Sequence, residues 1–253
     1  MKKKILKMNE FFDINKLSSE KGLLLFGLSM GKLRGRQNAA NCLKDIKHFS
    51  PNKVAKPLIG LNFIYTDFLY LYNSKEKADI LKNSFMSQVI QHKNSMQKVL
   101  EKNQLEFQIQ HAFNYLVWNQ LYVGTKDFDT KFQKIKKIYS KDKKFKEFIK
   151  KDCADFNKKP TNNQINFFLE ESLMVYLLVK NQVKLPNEYV EGNQKWTLFC
   201  YPGKPARSII YLLKLNPFKM DWKESPYQDS FYDLDSKKLI VASRVDLENY
   251  SLN

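Results

Sequence analysis

Apolar positions along the chain fall into short continuous runs that alternate with stretches of helical spacing. Gly22–Leu28 (GLLLFGL) is apolar throughout and gives way to Ser29-Met30-Gly31, the pattern of a strand buried on both faces and running into a loop. Residues 36–48 have helical spacing, with Pro51 just beyond them. The run 66–72 (TDFLYLY) reads as a second buried strand, and Asn73-Ser74 would cap a long helix over 75–102. Phe107, Ile109 and His111 alternate with Glu106, Gln108 and Gln110, which predicts a short third strand. A lysine-rich helix is expected over 129–152. A further helix, apolar nearly all round and therefore buried, should run from Pro160-Thr161 to residue 180. Residues 196–201 read as strand, 205–213 as helix and 239–242 as a last short strand.

Strands alternating with helices predict one α/β domain over residues 1–253, with a mainly parallel sheet flanked by helices and 1–20 as a peripheral or flexible extension. Such sheets bind ligands at the carboxyl ends of their strands. The places to look are therefore just after Leu28, Tyr72 and Tyr201.

Composition narrows the function. With 43% hydrophobic residues in 253, a core is affordable and global disorder is excluded. The 43 Lys and Arg against 26 Asp and Glu give +17, which suggests a polyanionic partner. Only four of the basic residues are Arg, however, so biased base composition is an equal explanation of the lysine load. Three widely separated cysteines make neither a disulfide framework nor a metal knuckle, and point to a reducing cytoplasm. The start, MKKKILKMNEFF, has no signal-peptide apolar region, and no apolar run approaches the roughly 20 residues of a membrane span. A cytoplasmic protein with no membrane partner is the expectation.

Four places carry candidate chemistry. In Gly27-Leu28-Ser29-Met30-Gly31, a serine sits between glycines at the end of the first strand, in a stretch holding four of the chain's eight glycines. It is a reactive hydroxyl or an ordinary turn serine. The same pentapeptide fits the nucleophile elbow of serine hydrolases, but His48, His92 and His111 all precede the region where that fold places its base. Glu170 and Glu171 interrupt an apolar helix; they share a narrow solvent stripe with Ser172, or a buried one awaits a cation such as a substrate ammonium. Tyr201, in Cys200-Tyr201-Pro202-Gly203, reaches the same sheet edge as Ser29, to relay a proton or to cap the core. The segment 126–151 holds eleven lysines against four acids, a net +7 that favours phosphate contacts, and Arg34 and Arg36 lie near the serine loop.

Together these pieces resemble the tRNA-dependent cyclodipeptide synthases over roughly 22–213. The anchors are Gly-Leu-Ser29-Met-Gly, Thr66-Asp-Phe-Leu-Tyr-Leu71, Phe167-x-x-x-Glu171 and Cys-Tyr201-Pro202. The resemblance implies a Rossmann-like domain similar to the catalytic domain of class I tyrosyl- and tryptophanyl-tRNA synthetases. It also implies two aminoacyl-tRNA substrates, a cyclic dipeptide product, a monomer, and neither ATP nor a metal as cofactor. By it Ser29 is the nucleophile, Glu171 holds the aminoacyl amino group, and Tyr201 positions that group and moves protons. Tyr201-Pro202, with Lys32 in place of an asparagine, is similar to the subfamily called XYP. The resemblance lines the first amino-acid pocket with Leu25, Gly27, Leu69, Leu71, Met174, Val175 and Phe199, and adds Gly31, Lys32, Phe167 and Pro202 around it. With aminoacyl-tRNA as the polyanion, the expected tRNA contacts are Arg34 and Arg36 near the serine loop and, on the two basic stretches, Lys93, Lys98, Lys134, Lys137, Lys141 and Lys144.

The chain departs from the family pattern in places. Phe167 stands where the helix motif begins with tyrosine, so a substrate hydrogen bond is lost or supplied elsewhere. A second family tyrosine falls at Phe128 or Tyr122. The lysine excess lies on 126–151 rather than on 75–102, which carries the family's main basic patch. A non-catalytic tRNA-binding protein and a serine hydrolase are the rival readings.

Overall fold

Continuous apolarity places β1 (Gly22–Leu28) at the centre of a six-stranded sheet. It pairs in parallel with β2 (Leu58–Tyr65) on one side and β4 (Trp196–Tyr201) on the other. β3 (Phe113–Val117) and β5 (Ser230–Asp233) extend the two flanks in parallel, and β6 (Lys238–Val241) closes one edge antiparallel, giving the order 3-2-1-4-5-6. This computed structural model describes residues 22–47, 58–73, 78–102, 113–156, 158–185, 196–221, 225 and 227–252.

The apolar run is explained by layers on both faces. Leu24, Phe26 and Leu28 pack against α1 (Ala39–Lys47) and α2 (Ala78–Glu101). Leu23 and Leu25 belong to the other core, built with α3 (Trp118–Val123), α4 (Phe128–Lys141), α5 (Lys143–Asp155), α6 (Asn162–Val179) and α7 (Arg207–Leu215). The fold is a mixed α/β domain with a mainly parallel sheet flanked by helices.

Several expectations are corrected. The second strand is Leu58–Tyr65, and 66–72 leaves the sheet. Thr66 donates through both N and Oγ1 to the Leu28 carbonyl (3.0 and 3.1 Å), while Asp67 Oδ1 accepts from Trp118 N (2.8 Å). Short polar side chains that bind backbone in this way end a ladder. The aromatic run then winds into a 3-10 helix, Phe68–Asn73; its composition resembles a strand because rings suit any half-buried surface. The expected strand at Phe107, Ile109 and His111 lies outside the described residues, and the third strand observed is Phe113–Val117. The lysine-rich helix is two helices, because Asp142 is extended and caps α5 by accepting from Phe145 N (3.0 Å) and Tyr211 Oη (2.7 Å). β5 was not anticipated: at four residues it is too short to show a pattern.

One cap is supplied across the fold. Ala206 precedes α7 and offers no side-chain oxygen, so the exposed N–H groups of that helix are met by Asp152 of α5. Its carboxylate accepts from Arg207 N (3.0 Å) and Ser208 N (2.9 Å) and lies 3.4 Å from the Arg207 guanidinium. Removing a buried anion strands these donors. Asp152→Ala is expected to lower stability by about 3 kcal/mol in urea titrations, whereas Asp155→Ala, at the more exposed end of the same ion pair, should cost far less.

Candidate functional site

The strand order reverses between β1 and β4, each leading to a different flank, and the crevice at such a reversal is where α/β sheets bind ligands. A pocket of about 640 Å³ occupies it. Ser29, just after β1, and Tyr201, the last residue of β4, both open onto it.

The serine turn is held by a side chain with no part in the motif. Buried Gln37 accepts from Ser29 N through Oε1 (2.8 Å) and donates from Nε2 to the Gly27 carbonyl (2.7 Å). Lys32 N donates to the Ser29 carbonyl (2.9 Å), leaving the side-chain torsion as the serine's freedom. Ser29 Oγ is hydrogen-bonded to Tyr70 Oη, from the 3-10 helix. The glycines are not equivalent. A Cβ at Gly27 would stand 3.1 Å from the Phe199 ring, so the bare backbone is what admits that ring, whereas one at Gly31 would meet only ordinary contacts.

α6 supplies both carboxylates, and the solvent-stripe alternative fails: Glu170, Glu171 and Ser172 are all buried. Ser172 Oγ donates to Ser208 Oγ (2.9 Å). Glu171 Oε1 accepts from Tyr201 Oη (2.8 Å) inside the pocket. Burial pushes the Glu171 carboxyl up to about 7, with the Tyr201 bond as a partial offset. Burial, followed by the nearby Glu171 charge, raises the Tyr201 phenol well above its ordinary value. Glu170 turns the other way and accepts from Tyr72 Oη (2.8 Å) and Trp118 Nε1 (2.9 Å). It faces a second cavity of about 500 Å³ that includes Tyr122 and Asn163.

Of the expected pocket residues, Gly27, Gly31, Lys32, Phe167, Val175, Phe199 and Pro202 line the space around Ser29, Glu171 and Tyr201. Leu25, Leu69 and Met174 are core residues behind its wall, and Leu71 borders the second cavity. Phe128 is buried and Tyr122 packs on its ring at 4.4 Å, with its hydroxyl on Asp129. Sequence reasoning missed Tyr70, Gln37 and Trp118. It also missed Lys158, Lys204, Asp235 and Leu252 at the pocket's rim. Nothing local marks these residues, and Tyr70 falls in an aromatic run whose pattern predicts a strand where the chain forms a 3-10 helix.

The basic residues divide by engagement. Arg36 is committed within the chain, to Asp45 (2.9 Å) and Asp235 (2.6 Å). Lys134 donates to the Pro217 carbonyl (2.8 Å), Lys144 pairs with Glu248 (3.5 Å), and Lys93 lies over the Tyr115 ring. Arg34, Lys98, Lys137 and Lys141 are exposed. His92 is tied to Tyr65 Oη (2.9 Å) and the Gln37 carbonyl (2.7 Å). His48 and His111 lie outside the described residues. Among the described residues, no group of three or more His, Cys, Asp or Glu side chains is placed to hold a metal ion, and no helix is long and apolar enough to cross a membrane.

The raised Glu171 carboxyl has a thermodynamic consequence. The folded state holds its proton up to about pH 7, whereas the unfolded chain releases it near 4.5, so this group's contribution to stability falls as pH rises between those values. Glu171→Gln should match the wild type at pH 5 and exceed it by about 1–3 kcal/mol at pH 8 in denaturant titrations. A difference independent of pH would contradict this assignment.

No protein-family model and no curated protein matches the sequence. Solved structures do match in fold. A CDPS (cyclodipeptide synthase) from Fluoribacter dumoffii superposes with a TM-score of 0.54 at 14% identity, over 82% of this chain and 88% of that one. A CDPS from Staphylococcus haemolyticus gives 0.52 at 10% identity, over 86% and 91%. The cyclodipeptide synthase from Candidatus Glomeribacter gigasporarum, solved bound to Phe-tRNAPhe, gives 0.52 at 13% identity, over 78% and 83%. At these identities the likeness is one of fold, and the fold of this chain is the one those cyclodipeptide synthases adopt.

Proposed function

We propose that this chain is a tRNA-dependent cyclodipeptide synthase of the XYP subfamily, an aminoacyltransferase that joins the amino acids of two aminoacyl-tRNAs into a cyclic dipeptide. The observation that carries the reading is the pocket: a turn-held Ser29 faces a buried Glu171–Tyr201 pair at the sheet's switch point. The fold likeness to cyclodipeptide synthases, one of them bound to Phe-tRNAPhe, and the motifs around Ser29, Glu171 and Tyr201 support it.

The chemistry is ping-pong acyl transfer. Ser29 attacks the activated ester of the first aminoacyl-tRNA; its Oγ bonds to the carbonyl carbon and the ribose oxygen departs with a proton. The α-ammonium of the bound aminoacyl group supplies the cation that buried Glu171 lacks, with Tyr201 holding the carboxylate in register. The amine of the aminoacyl-serine then attacks the ester of the second aminoacyl-tRNA, whose ribose oxygen departs with a proton, giving a dipeptidyl-serine. Its new terminal amine attacks the serine ester, closing the ring and releasing Ser29 Oγ with a proton. Because the ester is already activated, neither ATP nor a metal is called on. The enzyme works as a cytoplasmic monomer, and its tRNA contacts are to backbone phosphates through exposed cations such as Lys137 and Lys141.

Incubation with a charged tRNA pool, followed by mass spectrometry, should yield a diketopiperazine with the wild type. Ser29→Ala should reduce it at least about 1,000-fold while retaining tRNA. No cyclic product from the wild type, or full activity in the alanine variant, overturns the reading. Cleavage of simple esters without tRNA would make the protein a hydrolase instead. Retention of tRNA without acyl-serine would make it a binder.

The surface cations generate a separate expectation. Reversing Lys137 and Lys141 together to Glu should raise KM for charged tRNA, flatten its salt dependence by about two phosphate contacts, and leave kcat within about twofold. Filter binding over a salt series and steady-state kinetics read both quantities.

A further inference from the structure

The group that meets the Ser29 hydroxyl is Tyr70, not a histidine and not a carboxylate of α6. The serine backbone is fixed by Gln37 and Lys32, so the direction of Oγ is decided by its own hydrogen bond. Tyr70 is itself held from several sides. Its N–H is shared between the Thr66 and Asp67 carbonyls (3.3 and 3.2 Å), and its ring lies edge-on to Phe85 (6.4 Å, 84°) and Phe167 (5.8 Å, 75°). Phe167 offers only hydrocarbon to the pocket, and Glu171 is occupied with Tyr201. Among the described residues, Tyr70 Oη is the hydrogen-bond partner of Ser29 Oγ.

We infer that Tyr70 is a catalytic proton relay for Ser29, an assignment that rests on the acyl-transfer reading above. As Ser29 Oγ bonds to the carbonyl carbon and the bond to the ribose oxygen breaks, the serine proton passes to Tyr70 Oη. The phenolic proton of Tyr70 passes in turn to the departing ribose oxygen. Tyrosine is neutral before and after, so no base is consumed. On ring closure the relay runs in reverse: Tyr70 returns a proton to Ser29 Oγ as it leaves and takes one from the attacking amine. The role needs a phenol that keeps its proton at neutral pH. Burial raises the Tyr70 hydroxyl above its ordinary value; the bond to Ser29 offsets this in part, and the nearby Glu171 charge adds to it. The relay also shows how a serine can serve as nucleophile with no described histidine at its hydroxyl.

Single-turnover loading with radiolabelled aminoacyl-tRNA, read as label retained on denatured protein, tests the assignment. Tyr70→Phe keeps the ring and its packing and deletes only the hydroxyl. It should load about 100- to 1,000-fold more slowly while binding charged tRNA within about twofold of the wild type. Tyr115→Phe, which deletes a hydroxyl on β3 that lines neither cavity, should load within about twofold of the wild type. Loading of Tyr70→Phe at the wild-type rate, or a loss that only tracks weaker tRNA binding, removes the relay and leaves the acyl-transfer reading standing. Absence of any wild-type adduct removes both.

Discussion

Everything around the pocket depends on burying α6 together with its two acids. Thirteen successive residues, Phe167 to Val179, are buried, so the helix has no solvent face on which to place Glu170 and Glu171. A buried carboxylate without partners costs several kcal/mol, and each is therefore met by donors from a distant element. Tyr201 reaches Glu171 from β4; Tyr72 and Trp118 reach Glu170 from the 3-10 helix and α3. Rotating α6 by one residue would drive both acids into hydrocarbon. The helix is thus locked in register by polar contacts rather than by an amphipathic stripe.

That lock also sets the pocket's chemistry. All the donors to Glu171 and Glu170 are neutral, so neither acid is paired with a cation in a salt bridge among the described residues. A buried carboxyl held by neutral hydrogen bonds still lacks a counter-charge when it ionises, and under the proposed function a substrate ammonium would supply it. Its ionisation works against stability, and an isosteric amide would suit the burial better. Gln37 does comparable work on the other wall, holding the serine turn by two hydrogen bonds from a residue outside the motif. Its own carbonyl is in turn engaged by His92, which ties the turn back to α2.

Much of the architecture was legible in advance because it follows from local pattern. β1, β4, α6 and the placement of Ser29 and Tyr201 at the sheet edge come from continuous apolar runs and their ends. Local pattern is overridden where short polar side chains form distant bonds. Asp67 turned an aromatic run out of the sheet by accepting from Trp118, fifty-one residues away in sequence. Asp142 cut one expected helix into two with help from Tyr211. In both places intrinsic preference was overridden by a partner that no window along the chain contains.

The sequence by itself determined the central buried strand, the largely apolar helix interrupted by two acids, a serine between glycines and the excess of lysine, because each is a property of neighbouring residues. Tertiary structure alone decided which hydroxyl meets the serine, since Tyr70 lies forty-one residues on and reaches Ser29 only because 66–72 coils instead of extending. It decided that Glu171 faces the pocket while Glu170 faces away, although the two are adjacent in sequence. It also separated the cations: Arg36 is committed to Asp45 and Asp235, while Lys137 and Lys141 stand exposed. Charge counts add along a chain, but whether a charge is available to a partner depends on what the fold brings within about 4 Å of it.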